Sequence, residues 1–202
     1  MDQVIAISGT PGTGKTEVGS VLATRLDAEF VELGQVIKEQ RFHHGEDPNR
    51  DTLIADTAKL QDYLVRQFQK AEKQFVVVGH FADLVPKQYL AALIVLRCHP
   101  IVLMQRLAAR QWSSKKILEN IQAEILGTCI SDGLAQHSRD RIFEIDTSDS
   151  SVEREVAAIE AILAGRGKEY AIGKISWLRI LEPNLIHQIM EEQHLPSSSQ
   201  KA

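Results

Sequence analysis

The 202-residue sequence is short of cysteine, of aromatic side chains and of long hydrophobic runs. Its two cysteines, Cys98 and Cys129, are far apart and show no metal-site spacing, which predicts buried thiols in a reducing compartment. No apolar stretch approaches the ~20 residues that cross a bilayer, and the first residues, MDQVIAISG, do not resemble a signal peptide. We therefore expect a protein of the cytoplasm, or of the nucleus in a eukaryote, without membrane contact.

The charge balance excludes a strongly basic protein. The 27 acidic residues outnumber the 23 lysines and arginines, and the formal net charge is −4. A chain with this balance is not expected to bind nucleic acid broadly, although a local basic patch for direct RNA contact stays open. The chain length and an apolar content of 44% favour one compact core.

Apolar runs alternate with helical patterns along the chain. Strands are predicted at residues 4–8, 30–33, 75–78, 93–97 and 141–146, and helices at 14–26, 33–42, from 56, at 100–110, at 113–125 and from 150. The polar stretch 43–51 is predicted to be a loop, 165–170 a linker, and 196–202 a disordered tail. Because strands and helices alternate, we expect an α/β fold with a five-stranded parallel sheet flanked by helices.

GTPGTGKT, residues 9–16, fits the Walker A motif G-x-x-x-x-G-K-[ST] and lies between a predicted strand and a predicted helix. Glycines in such a P-loop let several backbone N–H groups point at phosphate oxygens, and the helix start adds its positive end. The lysine reaches the β- and γ-phosphates, and the last hydroxyl binds Mg²⁺. The residues expected to bind ATP here are Gly12, Thr13, Gly14, Lys15, Thr16 and Glu17, with Thr16 as the metal ligand.

Five segments together resemble one family: GTPGTGKT, ELGQVIKE, GHFADLVP, VLRCHP and RLAARQWSSKKILENIQAEI. They are similar to the atypical adenylate kinases of archaea and of eukaryotic nuclei, the type of the sixth human adenylate kinase isoenzyme. The resemblance covers roughly residues 3–165. The later segment GKISW looks like the archaeal branch of this family, which suggests an archaeal source.

The resemblance implies a P-loop NTPase fold of the nucleoside-monophosphate-kinase kind with a short lid. Residues 1–165 would form the kinase domain, with 32–55 as the segment that closes over AMP and 109–119 as the lid. Residues 166–202 would be a C-terminal appendage and tail. Family members transfer the γ-phosphoryl group of ATP to AMP and hydrolyse ATP slowly. They also act in small-subunit ribosome maturation by binding a ribosomal protein.

Arg106 precedes the expected lid, and Arg110 lies at its start, where the resemblance implies contact with ATP phosphate. Arg106 and Arg110 are four residues apart on one helical face, and such a pair can clamp a phosphoryl group, although solvated helix arginines remain the alternative. His80 follows a predicted strand, where we expect it to contact the acceptor phosphate or orient water, the alternative being a buried structural histidine. The catalytic residues are thus predicted to be Lys15, His80, Arg106 and Arg110, and the substrate residues Gly34, Lys38, Asp56 and His80.

Three positions depart from the family pattern. Val78 stands where the family has an acid before the histidine. Mg²⁺ could then be held by Thr16 and the ATP phosphates alone, or Asp83 could substitute for the acid. In the third alternative, the protein is a weak kinase whose main task is nucleotide-gated binding. Lys38 stands where many adenylate kinases place an arginine that grips the AMP phosphate, so weaker AMP selectivity is expected. Gln111 replaces the glycine after the lid arginine and is expected to stiffen the lid hinge.

Overall fold

A five-stranded parallel sheet forms the centre of the protein, for which a computed structural model describes residues 3–47 and 52–191. The strands within these ranges are β1 (Val4–Gly9), β2 (Glu29–Glu32), β3 (His43–Asp47), β4 (Thr52–Ala55), β5 (Phe75–Val78), β6 (Leu90–Arg97) and β7 (Ile142–Asp146). The large sheet has the order β2-β5-β1-β6-β7. The predicted α/β fold and the five parallel strands are confirmed.

Helices cover both faces of this sheet. They are α1 (Lys15–Leu26), α2 (Leu33–Glu39), α3 (Thr57–Lys70), α4 (Pro100–Ala109), α5 (Ser114–Leu126), α6 (Thr128–Gln136), α7 (Val152–Ala161), α8 (Trp177–Ile180) and α9 (Pro183–Met190). Among the residues that the structure describes, no helix is long and apolar enough to span a membrane.

Alternating side chains of β1 feed two separate cores. Val4 and Ala6 pack on one face with the apolar stripe of α3, whereas Ile5 and Ile7 pack on the other face with α1 and α7. Every residue of β1 is buried, as expected for a central strand of a parallel sheet. The carboxyl end of β1 therefore lies in the middle of the sheet edge, which is where ligands bind in open α/β folds.

The polar stretch after α2 differs from its prediction. Residues His43–Asp47 and Thr52–Ala55 pair as the antiparallel strands β3 and β4, whereas a loop was expected over 43–51; residues 48–51 lie outside the described part. The pair is partly exposed on both faces, so it lacks the apolar alternation that marks a strand. Helix α2 also ends at Glu39 rather than at 42, and Arg41 adopts a left-handed φ of 55°.

Two further elements escaped the sequence patterns. Helix α6 was not predicted, because Gly127 at a φ of 66° separates it from α5 and its sequence carries little apolar spacing. The predicted linker 165–170 is helical, in a π turn and a 3₁₀ turn that pack on Phe143. The cap of α7 is Ser151 rather than the predicted Ser150. The predicted tail 196–202 lies outside the described residues.

Gly19 lets α1 approach the sheet closely. A Cβ at this position would lie 2.3 Å from Cγ1 of Val78 and 3.1 Å from Cε2 of Phe30. The helix can therefore sit directly on β5, and this contact fixes the distance between the P-loop and the end of β5.

We predict that Gly19→Ala destabilises the protein by about 1–3 kcal/mol through overpacking, although alanine is normally the better helix former. Urea unfolding followed by circular dichroism measures the change. Ser20→Ala on the exposed side of the same helix is the control and should be neutral or stabilising. The double variant Gly19→Ala/Val78→Ala should lose less stability than the sum of the single changes, because the clash is with Val78. Additive losses would contradict this packing.

Candidate active site

The loop between β1 and α1 has the shape of an anion cradle. Gly12 adopts a φ of 94°, and a Cβ there would lie 2.9 Å from Cδ1 of Leu103 and 3.0 Å from Cδ2 of Leu107. Helix α4 thus supports the loop from outside. Gly14 is the N-cap of α1 and supplies no side-chain hydrogen bond, so the first N–H groups of the helix have no side-chain cap. Such a helix start attracts phosphate.

Lys15 lies inside this cradle. Its Nζ donates hydrogen bonds to the carbonyl oxygens of Gly9 at 2.7 Å and Thr10 at 3.0 Å. Burial lowers the pKa of Lys15 to about 8, and the Arg110 guanidinium also acts to lower it. A polyphosphate in the cradle would offer this ammonium a stronger partner than two carbonyl groups.

The remaining loop residues fall into two groups. Thr13 is buried, and its hydroxyl donates to the carbonyl of Thr10 at 2.8 Å, so its side chain closes the loop from within. Thr16 and Glu17 are exposed in the first turn of α1. The hydroxyl of Thr16 is therefore exposed beside Lys15 and available to a ligand. Thr13 can bind a ligand only through its backbone, because its hydroxyl is used within the loop.

The two arginines have different surroundings. Arg106 donates from Nη2 to the carbonyl of Thr147 at 2.6 Å and from Nη1 to the carbonyl of Gly12 at 3.4 Å. It therefore joins the P-loop to the segment after β7, and its role in a phosphoryl clamp stays a prediction. Arg110 ends α4 with an exposed side chain, and its charge acts on Lys15. Of this pair, Arg110 has the exposed side chain.

A second pocket of about 300 Å³ lies between α2, the β3–β4 pair and the end of β5. Its lining residues are Leu33, Gly34, Ile37, Lys38, Glu46, Thr52, Leu53, Ala55, His80 and Phe81. Gly34 and Lys38 are one helical turn apart and face it together. The pocket thus offers apolar surface for a flat ring and one exposed ammonium for an anion.

His80 connects the second pocket with the P-loop. It lines the pocket, and its edge-to-face neighbour is Phe81, with ring centroids 5.2 Å apart. Partial desolvation lowers the pKa of His80, and the Lys15 charge lowers it further. The imidazole is therefore neutral at pH 7, and it can donate a hydrogen bond from one nitrogen and accept one at the other.

Comparisons with known proteins agree with this geometry. A family model described as an AAA domain matches residues 5–127. A putative adenylate kinase of Methanocaldococcus jannaschii is 35% identical over 173 residues, which cover 86% of this chain and 92% of that protein. An adenylate kinase isoenzyme 6 homolog of Caenorhabditis elegans is 30% identical over 164 residues, or 81% of this chain and 90% of that protein. The chain belongs to this adenylate kinase family.

Solved structures show the same fold at lower identity. A shikimate kinase from Bacteroides thetaiotaomicron has a TM-score of 0.55 at 20% identity and covers 80% of this chain and 98% of its own. A gluconokinase from Sinorhizobium meliloti has a TM-score of 0.52 at 16% identity, with coverage of 86% and 98%. These likenesses show a P-loop kinase fold. As a member of the adenylate kinase family, the protein is a phosphotransferase.

Asp56 caps α3 next to Ala55, which lines the second pocket, and its role as a substrate residue stays a prediction. Its carboxylate caps α3, where Oδ1 accepts from the N–H of Lys59 at 3.1 Å and Oδ2 lies 3.0 Å from Lys59 Nζ. These bonds to Lys59 hold the pKa of Asp56 below its usual value. Asp56 is also absent from the residues that line the pocket in the described part of the chain. It therefore supports α3 beside this pocket.

Val78 leaves the end of β5 without a carboxylate. Its side chain is 1% exposed and packs against Gly19, one turn beyond Thr16. Asp83 follows in a 3₁₀ turn, where burial raises its pKa to about 6 with a smaller contribution from the Asp132 charge. The substitution of Asp83 for the missing acid stays a prediction.

Glu32 is a carboxylate that the sequence reasoning missed. It ends β2, beside β5, and its charge acts to raise the pKa of Lys15. Its Oε1 would lie 3.9 Å from a Cβ at Gly34, so it faces the junction of the two sites. Its position at the carboxyl end of a predicted parallel strand was the available signal.

These oxygens fit a metal that arrives with its nucleotide. Mg²⁺ takes one or two protein oxygens and completes its shell with phosphate oxygens and water. Within the described residues, no group of three or more His, Cys, Asp or Glu side chains could hold a metal ion. The Thr16 hydroxyl is the group that would bind Mg²⁺ directly, and Glu32 is a nearby carboxylate whose charge acts on Lys15.

The lowered pKa of Lys15 predicts that ATP binding takes up a proton in mild alkali. In the free protein Lys15 loses its proton as the pH rises through about 8, and bound phosphate raises its pKa again. Calorimetry at about pH 9 in two buffers of different ionisation enthalpy should show this uptake, and at about pH 7 it should nearly vanish. ATP affinity should fall as the pH rises through this window. Equal uptake at both pH values would contradict a lowered Lys15 pKa.

Gln111 lies in the predicted lid, and we expect its replacement by glycine to stabilise the protein. It adopts a φ of 58°, a left-handed conformation that costs a non-glycine residue energy. Gln111→Gly should raise the free energy of unfolding by about 0.5–1 kcal/mol, measured by urea unfolding. Gln105→Gly on the exposed side of α4 is the matched control and should lose about as much. A loss of stability at both positions would show that Gln111 is unstrained.

Proposed function

We propose that the protein transfers the γ-phosphoryl group of ATP to AMP with Mg²⁺ and forms two ADP. The proposal is supported by the second pocket beside the P-loop. His80 lines this pocket, and the charge of Lys15 in the P-loop acts on the pKa of His80. A P-loop switch would need only one nucleotide site. A kinase for a nucleotide acceptor needs a second site whose phosphate group faces the first.

In this proposal the protein aligns two polyanions and excludes water. The N–H groups at the start of α1 and the Lys15 ammonium bind the β- and γ-phosphates of ATP. Thr16 holds Mg²⁺, which when bound neutralises phosphate charge. Arg110 approaches the transferred group from the lid, where a guanidinium can bind two of its oxygens at once. These contacts stabilise the charge that spreads over the phosphoryl oxygens during transfer.

The acceptor occupies the second pocket. Its base lies against the apolar lining between α2 and the β3–β4 pair, and its phosphate meets Lys38 and His80. Neutral His80 donates a hydrogen bond to the acceptor phosphate or, when AMP is absent, orients a water molecule. The second arrangement gives a slow ATPase reaction at the same site.

A second candidate function is an ATPase of small-ribosomal-subunit assembly. Two observations favour it over an efficient kinase: Val78 fills the acidic position with an apolar side chain, and Lys38 offers the acceptor a point charge in place of a bidentate fork. In that case the nucleotide state would gate binding to a small-subunit ribosomal protein, and contact with rRNA would be secondary.

The stoichiometry of ADP formation tests the two functions. The protein is mixed with ATP and Mg²⁺, with and without AMP, and ADP is quantified against the ATP consumed. Two ADP per ATP, formed only with AMP, would establish the kinase, whereas one ADP per ATP without AMP would establish the ATPase. Lys15→Ala should abolish both reactions, because it removes the phosphate ligand common to them.

The acceptor site predicts opposite effects of two substitutions at Lys38. Lys38→Ala should raise the KM for AMP by about 10-fold or more and leave the KM for ATP nearly unchanged. Lys38→Arg should lower the KM for AMP, because a guanidinium can bind the phosphate bidentately. Lys70→Ala, an exposed lysine at the far end of α3, is the control. Parallel changes in both KM values would contradict a separate acceptor site at Lys38.

A further inference from the structure

A buried carboxylate connects the P-loop with the C-terminal part of the chain. Glu124 on α5 is 2% exposed, and its Oε1 accepts hydrogen bonds from Arg97 Nε at 2.7 Å, from Trp177 Nε1 at 2.8 Å and from the N–H of Cys98 at 3.2 Å. Its Oε2 accepts a hydrogen bond from the hydroxyl of Thr10, inside the P-loop. One carboxylate thus accepts from four donors in three segments that are distant in sequence.

Thr10 is the point where this network meets the ATP site. Its carbonyl oxygen accepts from Lys15 Nζ at 3.0 Å and from the Thr13 hydroxyl at 2.8 Å. The side chain of Thr10 is therefore held by Glu124, while its carbonyl holds the two residues that shape the cradle. A rotation of the Thr10 residue would displace the Lys15 ammonium from its position.

The C-terminal segment reaches this carboxylate from the other side. Trp177 begins α8 and is 2% exposed, with its ring 5.7 Å from the Arg97 guanidinium. Arg97 also contacts Glu144 at 3.3 Å, and Glu144 Oε1 accepts from the N–H groups of residues 173–175 at 2.7–2.9 Å. Glu144 thus fixes the chain just before Trp177, Glu124 binds the indole itself, and α8 and α9 pack along α5.

We propose that Glu124 is a positioning residue of the ATP site and that Trp177 holds it in place. The indole N–H fixes one carboxylate oxygen, the other oxygen fixes Thr10, and Thr10 presents Lys15 to phosphate. The C-terminal segment, which lies outside the predicted kinase domain, thereby contributes to nucleotide affinity. This inference rests on the ATP-binding part of the proposed function and does not depend on the acceptor.

Packing alone does not account for this arrangement. Trp177 lies among apolar neighbours of α4, α5 and α9, where a phenylalanine would fill most of the same space. Only an indole also satisfies a buried carboxylate, and burying a carboxylate without its donors is costly. The N–H group and the apolar ring therefore have separable roles, and substitutions can distinguish them.

Three variants test the proposal by calorimetric titration with ATP and no AMP. Trp177→Phe keeps the packing and removes the donor, so the Kd for ATP should rise about 3- to 10-fold. Thr10→Val removes the hydroxyl and should raise the Kd by about 10-fold or more, whereas Thr10→Ser should restore it. Ile189→Val, in the same apolar cluster, is the packing control and should lower the Tm without changing the Kd.

The double variant Trp177→Phe/Thr10→Val decides whether the two residues act through one network. If they do, its Kd should equal that of Thr10→Val alone, because the connection to the P-loop is already broken. Independent, multiplicative effects would overturn the proposal, as would a Trp177→Phe variant that loses stability while its Kd stays at the wild-type value. These readouts need no phosphoryl transfer, so a failure of AMP phosphorylation in the wild type would reject the proposed kinase function separately.

Trp177 also supplies a spectroscopic readout. Trp112 is the only other tryptophan in the sequence and lies within the predicted lid, with its ring centroid 4.7 Å from Lys116 Nζ. In a Trp112→Phe background, ATP should change the fluorescence of Trp177, since its N–H partner contacts the occupied P-loop. Thr10→Val should abolish that change at saturating ATP. A full response in Thr10→Val would show that the signal reaches Trp177 by another route and would count against the proposed connection.

Discussion

The P-loop depends on a helix start that has no side-chain cap of its own. Gly14 precedes α1 and has no side chain to accept a hydrogen bond, so the first N–H groups of that helix can donate to a bound anion. This arrangement is held from several directions: α4 packs against Gly12, Arg106 binds the carbonyl of Gly12, and Thr10 is held by buried Glu124. These contacts from α4 and α5 add to the hydrogen bonds that Thr13 and Lys15 make within the loop.

The electrostatics of the site follow from burying one cation. Lys15 is desolvated enough to lower its pKa to about 8, and its charge in turn helps to keep His80 neutral. Glu32 and Glu124 act in the opposite direction on Lys15 and limit the loss of its proton. Binding of a polyphosphate would supply the negative charge that makes full protonation of Lys15 favourable.

Features encoded by neighbouring residues could be predicted from the sequence, and features that depend on distant pairing could not. The P-loop, the five strands of the parallel sheet and the helices with regular apolar spacing follow from local patterns. The β3–β4 pair and α6 were missed because their sequences are polar or interrupted by glycine. Glu124 was missed although a signal was present: it lies on the apolar face of α5 with Ile121 and Ile125, where an acid needs a buried partner. The sequence alone does not indicate that Arg97 and Trp177 are its partners.

With Val78 at the end of β5 and Glu124 in the buried network, the carboxylates near the P-loop lie on other elements than β5. The carboxylate expected at the end of β5 would hold the water shell of Mg²⁺, whereas Glu124 binds Thr10 of the P-loop, and Glu32 stands at the neighbouring strand end. Negative charge near the cradle is therefore distributed over β2 and α5 rather than placed on β5. Phosphoryl transfer needs alignment and charge balance more than any single protein group. A kinase can tolerate valine at that position if phosphate alignment is secured elsewhere, and the connection through Thr10 provides a structural route to do so.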